Sequence, residues 1–66
     1  MTGVVSEFDE VAGLGTVTAA DGAVYGFHCT QIADGTRTIE VGARVCFDVV
    51  PWHQGRYEAV ALSPAS

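Results

Sequence analysis

Residues 11–32 read Val-Ala-Gly-Leu-Gly-Thr-Val-Thr-Ala-Ala-Asp-Gly-Ala-Val-Tyr-Gly-Phe-His-Cys-Thr-Gln-Ile, and the fold turns on them. Two short β-patterned runs flank Asp21-Gly22. Asp and Gly tolerate positive φ, so the pair predicts a tight two-residue hairpin turn. In Leu14–Ala19, Gly15 and Val17 share one face while Leu14, Thr16 and Thr18 share the other. In Val24–Cys29, Tyr25 and Phe27 alternate with Val24, Gly26 and His28. Period-two alternation of this kind marks half-buried strands. The hairpin is expected in the middle of a small β barrel, with its outer face deciding what is bound.

Upstream, Met1–Phe8 reads as a strand with Val5 inward, Val4 and Ser6 outward and Phe8 packed at its end. Asp9-Glu10 begins a turn, and Gly13 and Gly15 permit close backbone approach. Downstream, Thr30–Gly42 is a longer connection with a turn at Ala33-Asp34-Gly35, and Ile32 and Ile39 are expected to plug the barrel's end. Ala43–Val50 is the cleanest strand: Val45, Phe47 and Val49 face in, and Arg44, Cys46 and Asp48 face out. Trp52-His53-Gln54-Gly55 is a loop after Pro51. Arg56–Leu62 is the fifth strand, with Ala59 and Ala61 inward, and 63–66 is expected to fray. Five short strands joined by glycine-rich turns imply an all-β fold, a five-stranded antiparallel Greek-key barrel forming one domain over residues 1–66.

Sixty-six residues lie near the lower limit for folding on a hydrophobic core alone, but 48% hydrophobic and 17% charged residues argue against disorder. No apolar run approaches the roughly 20 residues of a membrane helix, and no basic-then-apolar leader opens the sequence. A cytoplasmic protein without membrane contact is the expectation. Cys29 and Cys46 are expected as free thiols, since one pair is not a disulfide framework. The formal net charge is −5, and Arg37, Arg44 and Arg56 are the only fixed cationic side chains. That balance opposes phosphate binding by the chain as a whole, although arginines gathered on one face still make a local basic patch.

The order and spacing of Thr2-Gly3-Val4-Val5, Phe8-Asp9, Gly13-Leu14-Gly15-Thr16-Val17, Asp21-Gly22, Phe27-His28, Ile32, Asp34-Gly35 and Val41-Gly42-Ala43-Arg44-Val45-Cys46-Phe47, closed by Gly55 and Ala59, resemble the bacterial cold-shock proteins over nearly the whole length. The resemblance implies an OB-fold barrel that binds single-stranded RNA or DNA by stacking bases on exposed aromatics. The family's first motif, roughly Lys-Gly-Phe-Gly-Phe-Ile, stands here as Ala12-Gly13-Leu14-Gly15-Thr16-Val17, so the lysine and both stacking phenylalanines are replaced. Its second motif, roughly Phe-Val-His-Phe, stands as Gly26-Phe27-His28-Cys29, which keeps only His28 at a base-contacting position. The first-strand Lys-Trp-Phe is Ser6-Glu7-Phe8, which keeps Phe8 and puts a carboxylate in place of the stacking tryptophan. Inward residues and turn glycines are retained, while outward aromatic and basic residues are mostly lost.

The candidate binding residues for nucleic acid or a partner are therefore His28, Trp52, His53, Phe8, Leu14, Arg44, Arg56 and Tyr57. His28 either stacks a base or is an exposed strand residue left from ancestry. Trp52 either carries a relocated stacking site with His53, Arg56 and Tyr57 or covers the barrel's end. Two functions compete. One is nucleic-acid binding that is weak or uses this relocated site. The other is protein binding through an acidic and apolar surface of Glu7, Leu14, Val4 and Asp48. The spacing of His28, Cys29, Cys46 and His53 matches no zinc pattern. Asp9, Glu10, Asp21 and Asp34 are read as turn formers, and no nucleophile–base pair is found. No cofactor, metal, small-molecule substrate or enzymatic activity is expected.

Overall fold

The computed structural model describes residues 1–33, 38–52 and 55–65. Expectations on Asp34, Gly35, Arg37, His53, Gln54 and Ser66 lie outside these residues. Five strands, β1 (Thr2–Asp9), β2 (Leu14–Ala19), β3 (Val24–His28), β4 (Arg44–Pro51) and β5 (Tyr57–Pro64), form a closed barrel in the order β1-β2-β3-β5-β4. Every pairing is antiparallel except β3 with β5, which runs parallel through Gly26 and Glu58. Closure leaves no open sheet edge. No helix among the described residues is long and apolar enough to cross a membrane.

The barrel interior holds Val5, Val17, Ala19, Phe27, Ile32, Val45, Phe47, Ala59 and Leu62. The alternation in β2, β3 and β4 follows the sequence: Val17, Phe27, Val45 and Phe47 point inward. Ile32 is buried and Ile39 packs against the core, both as expected. Phe27 needs room that only a glycine leaves. A Cβ on Gly15 would lie 2.6 Å from Phe27 Cζ and 2.7 Å from the Glu7 carbonyl oxygen.

Three local features depart from simple alternation. The β2–β3 turn is a three-residue loop rather than a two-residue one. Gly22 N–H donates to the Ala19 carbonyl at 2.9 Å, and Ala19 N–H donates to the Ala23 carbonyl at 2.7 Å. Only Gly22 takes positive φ, +91°, while the Asp21 carboxylate accepts from Ala23 N–H at 3.0 Å. Asp21 thus closes the loop by side-chain hydrogen bonding and not by a left-handed backbone.

The second departure is on β1, where the register moves from Val5↔Val17 to Glu7↔Thr16, so Ser6 is an extra residue. The bulge makes the sequence Val5-Ser6-Glu7-Phe8 run in, out, out, in, and it keeps Glu7 off the core. The third is on β5, between Cys46↔Ser63 and Asp48↔Val60. Ala61 sits there at φ +54°, is exposed, and donates its N–H to the Gln31 side chain at 3.3 Å. This corrects the expectation that Ala61 points inward: the extra residue resets the alternation, and Leu62 fills the core instead. It also corrects the frayed tail. Ser63 and Pro64 continue β5 opposite Cys46 and Val45, and Ala65 N–H donates to the Arg44 carbonyl at 3.0 Å.

Strand ends elsewhere shift by at most one residue. Cys29 leaves β3 to open a 3₁₀ turn, Cys29–Gln31, and both Cys29 and Cys46 are free and half-buried. Asp9 behaves as the expected turn former, its carboxylate accepting from Val11 and Ala12 N–H at 3.0 and 3.2 Å.

Candidate functional site

β2, β3 and the start of β5 lie side by side, so their outward residues share one surface. Leu14 pairs with His28 across β2–β3, and Gly26 pairs with Glu58 across β3–β5. At this corner Trp52, just after β4, donates its N–H to the carbonyl of Arg56, just before β5, at 2.7 Å. The result is an open groove lined by Leu14, Gly15, Gly26, Phe27, His28, Trp52, Arg56, Tyr57 and Glu58.

His28 and Trp52 form one wall. Their ring centroids are 6.3 Å apart at 56°, a tilted arrangement, and Trp52 is 51% exposed. Trp52 therefore does not seal the barrel's end; much of its ring faces solvent beside His28. The groove opens above Gly26, where an added Cβ would meet nothing nearer than the Gly15 carbonyl oxygen at 3.9 Å. Tyr57 is exposed on the same groove and Arg56 supplies its fixed positive charge.

Glu58 is the residue that sequence reading missed. It is the one buried polar or charged residue among those described, and its carboxylate lies 3.5 Å from His28 Nε2, with side-chain exposures of 10% and 50% for the two residues. The sequence offers only its place before the inward Ala59, which any solvated strand residue shares; the pairing with Gly26 that leaves space for its side chain is a product of the fold.

Five of the eight candidate residues, His28, Trp52, Leu14, Arg56 and Tyr57, line this one groove. Phe8 and Arg44 do not, and His53 is not described. Phe8 is half-buried and stacks parallel on Phe27, centroids 6.0 Å apart at 4°, so it serves the core first. Its other contacts are with a second groove of Ser6, Glu7, Phe8, Asp9, Leu14, Gly15, Thr16 and Val41, which meets the first at Leu14 and Gly15. Arg44 opens β4 and lines a separate depression with Thr2, Val4, Thr18 and Ala20. Val4 is thus apart from Leu14, so these two do not form a shared apolar patch.

Among the described residues no group of three or more metal-capable side chains comes together. What the described residues of the groove offer is stacking surface, one guanidinium, one imidazole and one carboxylate on a sheet face. A model of the 'Cold-shock' DNA-binding domain matches residues 1–65. The chain belongs to that family. The cold-shock domain is a nucleic-acid-binding and non-enzymatic family, and its barrel is the architecture described above. A comparison with curated proteins returned no match.

Proposed function

We propose that this cold-shock domain binds single-stranded RNA or DNA weakly in the cytoplasm, through a relocated site built from His28, Trp52, Arg56, Tyr57 and Leu14. The observation that carries this reading is the exposed Trp52 ring tilted against His28 at the edge of the sheet face. Bases stack on such rings irrespective of sequence, for about 1–3 kcal/mol per base. The weakness follows from the same surface: Leu14, Thr16 and Gly26 hold outward positions on β2 and β3, and Arg56 is the only arginine among the described residues of the groove.

Trp52 is the only tryptophan, so its fluorescence reports on this groove alone. Titration with mixed single-stranded oligonucleotides at low salt should quench it, and physiological salt should weaken the effect. A flat titration at low salt overturns the reading.

A second reading is supported by the neighbouring groove, where Glu7 and Asp9 flank Leu14 and Val41. Acidic groups around apolar ones suit a basic protein partner. Stoichiometric capture of a basic protein, lost in Leu14→Asp, would favour it.

A further inference from the structure

We propose that Glu58 makes the His28–Trp52 groove selective for guanine among the bases of a single strand; this rests on the nucleic-acid reading above. A carboxylate on a surface that meets a polyanion is unfavourable unless it contacts something other than phosphate. Glu58 is held in the groove, 10% exposed, beside the open space above Gly26, with His28 Nε2 3.5 Å from its carboxylate. In the proposed mode, a base stacked on Trp52 or His28 turns its Watson–Crick edge to the Glu58 carboxylate, which lies 3.5 Å from His28.

An ionised carboxylate only accepts hydrogen bonds, through two oxygens side by side. Guanine alone presents two adjacent donors on that edge, N1–H and the N2 amine, and the match is bidentate and charge-assisted. Uracil and thymine place carbonyl oxygens on both sides of their single N–H. Cytosine and adenine place a ring-nitrogen acceptor next to their amine. Both arrangements set a lone pair against the carboxylate, so a poorly hydrated Glu58 discriminates against all four bases.

The experiment compares three oligonucleotides by Trp52 fluorescence: heptauridine, the same strand with a central guanosine, and the same strand with a central inosine. Inosine keeps N1–H and the purine rings but lacks the N2 amine. The guanosine strand should bind roughly tenfold tighter than heptauridine, in line with the discrimination a bidentate pair gives, and inosine should lose most of that gain. In Glu58→Gln, whose amide presents one donor and one acceptor, the guanosine preference over both heptauridine and the inosine strand should vanish. Equal binding of guanosine and inosine strands by the unaltered protein overturns the proposal, as does a preference that survives in Glu58→Gln. Those results leave single-strand binding intact, whereas the absence of any signal with all three strands removes the underlying reading and this inference with it.

Discussion

Gly15 and Trp52 show two opposite uses of a single residue. Gly15 is structural, because its missing side chain is the space that Phe27 occupies. Gly15→Ala should cost about 1–3 kcal/mol, the usual penalty of overpacking, and lower the urea midpoint with an unchanged slope. Trp52 is half exposed and contributes surface rather than filling. Trp52→Ala should move the urea midpoint less than Gly15→Ala does, while weakening oligonucleotide binding by about 1–3 kcal/mol, read by electrophoretic mobility since the fluorophore is gone. The residue types at the groove were legible in the sequence. His28, Trp52, Arg56 and Tyr57 are unusual on a small acidic chain, and all four meet on one groove. Glu58 was not legible, because a glutamate in a terminal strand reads as a solvated charge until Gly26 is seen beside it.

At the level of the strand, regular alternation carried β2, β3 and β4 from sequence to structure, and the bulges are where it stopped. No pattern of side chains announces that Ser6 is an extra residue on β1, since Val5 and Phe8 are each compatible with more than one register. The β5 bulge was hidden for a related reason: Ala61 is small and apolar, which suits a core position, yet it adopts the left-handed backbone usually given to glycine. A non-glycine residue pays about 1–2 kcal/mol there. Ala61→Gly should therefore hold or raise stability, by up to about 1 kcal/mol after its entropic cost, whereas Ala61→Val should lower it; thermal unfolding of the pair checks both. The turn at Ala19–Ala23 teaches the complementary lesson: Asp21-Gly22 correctly located a hairpin, but the number of loop residues was decided by the backbone pairing of Ala19 with Ala23.

Across the molecule as a whole, a net charge of −5 surrounds a groove whose described residues carry one guanidinium. Few counterions can be released from a strand bound there. The logarithm of affinity should fall with the logarithm of salt at a slope shallower than about −2, because each neutralised phosphate of a single strand contributes about −0.7; titrations at three salt concentrations measure it. The barrel's closure adds a further consequence. It is sealed by the short parallel rung at Gly26 and Glu58, supplemented where Ile32 meets Leu62, and the groove floor is that same rung. A guest lying across it touches both lips of the seam, so occupancy and closure are thermodynamically linked and each favours the other. Amide protons of β3 and the start of β5 would then exchange more slowly with deuterium when the groove is filled, making local breathing of the seam a reporter of occupancy that needs no dye and no tryptophan.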